Sequence, residues 1–165
     1  PTRHRQDSYG ARVGLLLSAH IASLPVLFWL ARADQRDHRL PDSGTLGLLA
    51  ASYLASGVIL GSDSTRHHHA VVAAACAVAV LWLLHELPGH PLGFGDVKLG
   101  AALGLQCGWW GIDTIPFFLS ASFVAGGLVA LGLLLSGRLA PRQHIAFGPF
   151  LVSGWIFTVL MATTP

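Results

Sequence analysis

The sequence predicts an all-α protein, a polytopic membrane bundle of about six transmembrane helices. The 165 residues include only 10 Lys and Arg and 8 Asp and Glu, a charged fraction of 11%, against roughly 25% in soluble domains. Hydrophobic residues make up 53% of the chain, and the mean hydropathy is +0.59. A soluble domain of this size needs more polar surface, and a disordered chain needs low hydrophobicity and high charge. Of these three classes of protein, only a domain embedded in a bilayer agrees with the composition.

Six apolar segments account for the predicted helices, because a bilayer core of roughly 30 Å is crossed by about 20 helical residues. The third and fourth segments are short, so we expect their helices to extend into the flanking loops. We predict a single transmembrane domain over residues 13–162, with short tails at 1–12 and 163–165. In chain order the segments are Val13–Ala31, Thr45–Leu60, Ala70–Leu84, Val97–Trp110, Ile115–Ser136 and Ile145–Ala162.

Turn-forming residues separate these segments. Pro41–Gly44 is a turn that offers N-caps for the second helix, Asp42 among them. Leu87–Pro91 contains two prolines and does not continue a helix, and Gly137–Arg142 divides the last two segments. The first segment is longer than the 7–15 residues or so of a signal-peptide core, so we expect it to be retained as a helix.

Several side chains that bind metals or form disulfides elsewhere have simpler interpretations here. Cys76 and Cys107 are isolated in apolar stretches and are expected to pack as small apolar residues. The run His67–His69 lies in a predicted polar loop, where three adjacent side chains do not converge on one ion. His20 is expected to make a structural hydrogen bond within the bundle. No basic run indicates nucleic acid, and we expect no metal and no cofactor.

Two of the eight carboxylates lie at helix ends on one face of the membrane. Asp34 follows the first predicted helix and Asp96 precedes the fourth, and alternating helices bring these ends together. Ionisable groups near membrane depth are costly and tend to be functional. Two carboxyl groups in close approach share a single proton, so such a pair can hold a water molecule between a base and an acid. Asp37, three residues after Asp34, is the alternative first member.

The sequences around these carboxylates form three motifs in a fixed order. Asp34 is followed after seven residues by Pro41 and then Asp42; Gly93–Lys98 reads GFGDVK; and Phe147–Leu151 reads FGPFL. Together they resemble the type IV prepilin peptidases, a family of intramembrane aspartic peptidases with a GxGD motif. The spacing to Pro41 selects Asp34 over Asp37.

The resemblance implies cleavage of a short basic leader from prepilin or pseudopilin substrates, with Asp34 and Asp96 as the catalytic residues. Two glycines before Asp96 allow an extended substrate backbone to approach closely. The sequence has twelve residues before the first predicted helix and only two cysteines. We therefore expect a minimal peptidase core without the methyltransferase and zinc region of many family members. The predicted substrate-binding residues are Gly93, Phe94, Gly95, Phe147, Gly148 and Pro149.

Charge places the predicted site at the cytoplasmic face of the inner membrane. The loops after the first, third and fifth segments hold six Lys and Arg, against four on the other side. Asp37, Asp42 and Glu86 are candidates to meet the basic leader, and Lys98 is expected to anchor its helix or to favour the charged Asp96. Two alternatives stay open, a non-catalytic membrane protein (a transporter or an assembly scaffold) and another GxGD-type peptidase.

Overall fold

The computed structural model describes residues 2–37, 40–88, 92–137 and 146–164. These residues form six α-helices and no strand, which confirms the all-α prediction. The helices are α1 (Thr2–Asp37), α2 (Asp42–Leu60), α3 (Ser64–His85), α4 (Phe94–Gly108), α5 (Thr114–Leu135) and α6 (Gly148–Thr163).

Four of these helices are long and apolar enough to cross a membrane: α1 over Gly10–Arg36, α2, α3 and α5. The helix α6 is apolar but shorter. Their outward surfaces carry large apolar side chains, such as Val58 and Leu135, which are 84% and 79% exposed. A surface of this kind is stable against lipid rather than water, so the fold is that of a polytopic membrane bundle.

The helix ends differ from the predicted ones in ways that matter for the acidic residues. The helix α1 begins at Thr2, well before Val13, and continues through Asp37, so Asp34 lies within its last turns. The helix α4 begins at Phe94, so Asp96 lies in its first turn rather than before it. Both carboxylates are therefore held by regular backbone.

The helix α3 also begins earlier than predicted. Asp63 is its N-cap, and its side chain accepts a hydrogen bond from the Arg66 N–H at 3.2 Å, which satisfies one of the free amides of the first turn. The prediction of a polar loop at His67–His69 is therefore wrong, since these residues are helical. Within the described residues no group of His, Cys, Asp and Glu is arranged to hold a metal ion.

The helix α4 is the centre of the bundle and contacts α2, α3, α5 and α6. It packs most extensively against α3, and Gly104 and Gly108 lie in this contact. A Cβ atom on Gly108 would lie 2.6 Å from the Ala70 Cα atom, and one on Gly104 would lie 2.8 Å from the Ala77 Cβ atom. Because both positions are glycine, the two backbones come close enough to bury α4 almost completely.

An aromatic cluster fills the bundle between α1, α4 and α6. His20 is buried, and its ring lies 5.1 Å from that of Trp109 and 5.4 Å from that of Trp155. The His20 Nδ1 atom makes the predicted hydrogen bond, to the carbonyl oxygen of Leu16 in the same helix, while its Nε2 atom has no partner among the described residues. Cys107 is buried and Cys76 is exposed, and they form no disulfide.

Candidate active site

The two carboxylates selected from the sequence lie at the same end of the bundle. Asp34 comes from the end of α1 and Asp96 from the beginning of α4. Both side chains are buried, at 5% and 6% exposure, and the two carboxyl groups interact electrostatically. Buried carboxyl groups are uncommon without pairing, so their position together at this end marks a candidate catalytic site.

A third helix contributes to this site through its backbone. The Gly148 N–H, at the first position of α6, donates a hydrogen bond of 2.9 Å to the Asp34 Oδ2 atom. A Cβ atom at Gly148 would lie only 2.7 Å from the same oxygen. The Phe-Gly-Pro-Phe motif therefore reaches Asp34 because its glycine leaves room for the carboxylate.

The GxGD segment forms the start of α4. Gly93 is the N-cap, and its carbonyl oxygen accepts the Asp96 N–H at 3.1 Å. A Cβ atom on Gly95 would lie 2.8 Å from the Leu40 Cβ atom, so this glycine lets α4 pack against the residues before α2. The Asp96 Oδ1 atom is buried and has no hydrogen-bond partner among the described residues.

The predicted aromatic residues lie in two different environments. Phe94 is 49% exposed, with the Lys98 Nζ atom 5.0 Å from its ring centre and the His85 ring at 5.7 Å. Phe147 instead packs between α5 and α6, with its ring 5.3 Å from that of Phe123 and 6.0 Å from that of Phe150. The sequence motifs did not distinguish a surface aromatic from a packing one.

Lys98 and Asp42 form an ion pair that the sequence analysis missed. The Lys98 Nζ atom lies 2.6 Å from the Asp42 Oδ1 atom, which links α4 to the first residue of α2. The prediction that Asp42 caps α2 is wrong, because Pro41 is the N-cap and makes no side-chain cap bond. Since Lys98 already neutralises Asp42, this carboxylate is a weaker candidate for the basic leader than predicted.

The structure describes some, but not all, of the other polar residues at this end of the bundle. Glu86 is exposed and accepts a hydrogen bond of 2.8 Å from the Trp82 Nε1 atom, as expected of an interfacial residue. The His85 Nδ1 atom lies 2.7 Å from the Leu92 carbonyl oxygen. Arg32 and Arg36 line a cleft of about 530 Å³ beside this end of α1. His38, His90 and His144, which the sequence also predicts at this face of the membrane, lie outside the described residues.

Residues 21–131 match the model of the type IV leader peptidase family. The chain belongs to this family. The matched range includes Asp34 and the GxGD motif, so the resemblance predicted from three short motifs is confirmed over most of the chain.

Individual family members support the same assignment. The chain is 34% identical to the prepilin leader peptidase/N-methyltransferase of Burkholderia pseudomallei, over 83% of this chain and 44% of that protein. It is 36% identical to the Aeromonas hydrophila protein of the same name, over 79% and 45%. It therefore spans about half the length of these curated relatives. It is also 34% identical to leader peptidase HopD of Escherichia coli, over 81% of this chain and 88% of that protein. No solved structure matches the chain.

Proposed function

We propose that this chain is a membrane-embedded aspartic endopeptidase that removes the short basic leader from prepilin or pseudopilin substrates. The observation that carries the proposal is that Asp34 and Asp96 are both buried at one end of a membrane bundle and interact electrostatically. Membership of the type IV leader peptidase family supports the substrate class. A buried pair of carboxyl groups supplies both an acid and a base, as peptide hydrolysis requires.

The hydrogen bonds support a distinct role for each carboxyl group. Asp34 accepts the Gly148 N–H at the positive end of α6, where a negative charge is stabilised. Asp96 has a buried oxygen without a partner among the described residues, and an unpaired buried carboxylate is costly. We assign the negative charge to Asp34 and the proton to Asp96.

Hydrolysis then proceeds in two steps. In the first, Asp34 takes a proton from water as the water oxygen bonds to the scissile carbonyl carbon, and Asp96 donates its proton to the carbonyl oxygen. In the second, the carbon–nitrogen bond breaks, Asp34 passes its proton to the leaving nitrogen, and Asp96 regains a proton from the collapsing diol. Both carboxyl groups return to their initial states, and no metal takes part in this scheme.

The remaining predicted residues fit a substrate that approaches in an extended conformation. Gly93, Phe94 and Gly95 are proposed to face the residues around the scissile bond, and Phe147, Gly148 and Pro149 to close the site on the α6 side. The excess of Lys and Arg in the loops at this end supports a location at the cytoplasmic face of the inner membrane.

The test uses the purified chain in detergent or nanodiscs with a prepilin substrate, followed by mass spectrometry of the product. Asp34→Asn and Asp96→Asn are each expected to abolish cleavage while the thermal unfolding midpoint stays near that of the wild type. Asp63→Asn, at the opposite end of the bundle and still able to cap α3, is the matched control and is expected to cleave normally. Retained cleavage in either active-site variant would exclude that residue, and loss in Asp37→Asn would shift the first assignment.

A further inference from the structure

A large cavity opens at the end of the bundle away from Asp34 and Asp96. Its volume is about 710 Å³, and residues of α1, α3, α5 and α6 line it. Phe117 of α5 and Phe157 and Met161 of α6 form apolar walls, and all three residues are exposed. Small-molecule sites in proteins are cavities of about 300–1,000 Å³ with mostly apolar walls and a few polar groups. This cavity therefore has the size and the lining of a binding site.

Three charged residues line the cavity, Arg12, Arg66 and Asp113, and we call them its mouth. Each lies where a candidate membrane span begins: the arginines are the third residues of their spans, and Asp113 directly precedes the next one. These spans are Gly10–Arg36, Ser64–His85 and Thr114–Leu135. Leu16, which lines the cavity one turn after Arg12, lies about 6 Å deeper along the axis of α1. The mouth is therefore at the depth of lipid headgroups, and the apolar walls are at the depth of acyl chains.

The two arginines of the mouth share a single carboxylate. The Arg12 Nη1 atom lies 3.7 Å and the Arg66 Nε atom 3.3 Å from the Asp63 Oδ2 atom, and neither arginine forms another ion pair within the described residues. One carboxylate balances only one of the two positive charges, and both arginine side chains are accessible, at 54% and 38% exposure. A guanidinium group has five N–H donors in a geometry that suits phosphate oxygens. This side of the mouth is therefore suited to a phosphate group.

The third residue of the mouth carries the opposite charge. Asp113 is the N-cap of α5, but its side chain makes no cap hydrogen bond, and it forms no ion pair with any residue that the structure describes. It is exposed, so its carboxylate is open to a donor. A carboxylate only accepts hydrogen bonds, and an ammonium group supplies both a donor and the balancing charge. The mouth is therefore dipolar, with a cationic and an anionic side around one cavity.

We propose that this cavity binds one phospholipid whose headgroup bears a phosphate and a primary ammonium group, the phosphatidylethanolamine class. The phosphate binds Arg12 and Arg66, the ammonium group donates to Asp113, and an acyl chain lies along Phe117 and Phe157. A choline headgroup has no N–H to donate, a glycerol headgroup has no positive charge, and inorganic phosphate would leave the apolar walls uncovered. The proposal goes beyond the peptidase activity, because the cavity lies at the other end of the bundle from the two catalytic carboxyl groups.

Lipid selectivity provides the first test. The full chain is purified in detergent and titrated, with native mass spectrometry as the readout, with phosphatidylethanolamine, phosphatidylcholine and phosphatidylglycerol of identical acyl chains. We expect one phosphatidylethanolamine to bind with a Kd at least about tenfold below that of either other lipid. Soluble phosphoethanolamine, which has the headgroup alone, is expected to bind far more weakly.

Three results of this titration would overturn the proposal. Equal Kd values for the three lipids would show that any lipid fills the cavity. Tighter binding of phosphatidylglycerol than of phosphatidylethanolamine would show that the mouth selects negative charge alone. Binding of phosphoethanolamine as tight as that of the whole lipid would show that the apolar walls hold no acyl chain.

Substitutions at the mouth test the two halves of the headgroup separately. Arg66→Gln keeps the backbone N–H that bonds to Asp63 and is expected to raise the Kd for phosphatidylethanolamine by about tenfold or more. Arg36→Gln, which removes the same charge at the other end of the bundle, is the matched control and should leave this Kd unchanged. Asp113→Asn is expected to abolish the preference for phosphatidylethanolamine over phosphatidylglycerol. Equal losses in Arg66→Gln and Arg36→Gln, or an unchanged preference in Asp113→Asn, would overturn the proposal.

The position of the acyl chain is tested first by filling the cavity. Ala162→Phe places a ring in the cavity, whereas Ala79→Phe makes the same change at an exposed position of α3 outside it. Ala162→Phe is expected to raise the Kd for phosphatidylethanolamine by about tenfold or more, and Ala79→Phe is expected to leave it unchanged. Equal Kd values in the two variants would overturn the proposal, and the unfolding midpoint shows that both are folded.

Photolabelling locates the lipid in the wild-type chain, so its result does not depend on how a variant folds. Phosphatidylethanolamine with a diazirine in one acyl chain is illuminated with the protein, and the labelled peptides are identified by mass spectrometry. Label is expected in the peptides that contain Phe117 and Phe157, and it should be displaced by unlabelled phosphatidylethanolamine but not by phosphatidylcholine. Label spread evenly over exposed apolar positions, Val58 and Leu135 among them, would overturn the proposal.

Discussion

The backbone N–H of Gly148 donates to Asp34 Oδ2 at 2.9 Å, although 114 positions separate the two residues. The first N–H groups of a helix have no acceptor within it, so the beginning of α6 is a natural partner for a carboxylate at the end of α1. The contact therefore joins the first and last helices at the candidate active site, and it fixes one of the two carboxyl groups against backbone.

Gly148→Ala is expected to reduce kcat for leader cleavage by about a hundredfold, with a much smaller effect on stability. An added Cβ atom would lie 2.7 Å from the Asp34 Oδ2 atom, so either the carboxylate or the start of α6 has to move. Since a displacement of about 1 Å suffices to misplace a catalytic group, turnover should suffer first. The measurement is kcat on a prepilin substrate beside the unfolding midpoint in the same detergent.

The control for this change is Gly127→Ala in α5, where an added Cβ atom meets nothing within 4 Å. It should leave kcat unchanged. Normal kcat in Gly148→Ala would show that the Asp34–Gly148 contact has no part in catalysis, and a large fall in stability together with kcat would assign it a structural role.

Composition and segment length were sufficient to predict the fold class, because a chain with so few charges has few ways to be stable outside a bilayer. The residues at which the helices begin and end were harder to predict from the sequence. A carboxylate beside a predicted helix, such as Asp96, gives no signal that the helix already includes it. The N-cap of α3 at Asp63 involves a side-chain hydrogen bond from the Arg66 N–H, which the apolar pattern of the segment does not indicate.

The sequence also predicted the positions of the side chains at the site only in part. From the motifs we predicted that Asp34, Asp96 and Gly148 belong to one site, and the structure places them at the same end of the bundle. The motifs did not distinguish the exposed Phe94 from the packed Phe147, since both follow or precede glycine in similar local sequences. Partners distant in the chain, such as Lys98 and Asp42, depend on how α2 and α4 pack, and no local pattern records this.

This difference between the two phenylalanines gives a second prediction. Phe94→Ala is expected to raise KM for a short leader peptide severalfold with little change in stability, because Phe94 is 49% exposed at the active-site end. Phe147→Ala removes ring contacts with Phe123 and Phe150 and is expected to lower the unfolding free energy by about 2–4 kcal/mol. The same two assays, peptide cleavage kinetics and unfolding, are applied to both variants.

A destabilised Phe94→Ala with unchanged KM, or a Phe147→Ala variant as stable as the wild type, would contradict this assignment. Leucine at each position is a useful further control, since it retains apolar volume. Phe147→Leu should recover much of the lost stability, while Phe94→Leu should recover KM only if bulk rather than an aromatic face is needed.

The close approach of α3 and α4 yields a third prediction. Gly108→Ala is expected to lower the unfolding free energy by about 1–3 kcal/mol, although alanine favours helix more than glycine by about 1 kcal/mol. The reason is that the added Cβ atom would lie 2.6 Å from Ala70 Cα and 2.9 Å from the His69 carbonyl oxygen. Chemical or thermal unfolding in a defined detergent measures the change.

The matched control is Gly132→Ala, in the interior of α5 with no atom within 4 Å of an added Cβ. It should be neutral or slightly stabilising, because only helix propensity changes. If Gly108→Ala were as stable as Gly132→Ala, the two helices would have to be farther apart than the structure places them.

The ion pair between Lys98 and Asp42 leads to the last prediction. Its Nζ–Oδ1 distance is 2.6 Å, but the Asp42 side chain is 66% exposed, and exposed pairs contribute less than about 1 kcal/mol. Lys98→Met and Asp42→Asn are therefore expected to show a coupling energy below about 1 kcal/mol in a double-mutant cycle of unfolding. Each should keep kcat within about threefold of the wild type, because the pair links α4 to α2 without touching the reacting atoms.

A second role for Lys98, acting on the neighbouring Asp96, would give a different pattern in the same cycle. Lys98→Met would then lose most of its kcat while Asp42→Asn kept it, and the two effects on kcat would not depend on each other. Lys98→Arg separates the cases further, because it keeps the charge and the link to Asp42. Full activity in both Lys98→Arg and Lys98→Met would show that the charge of this lysine is not needed for the chemistry, and its ion pair with Asp42 would remain as its contribution to the structure.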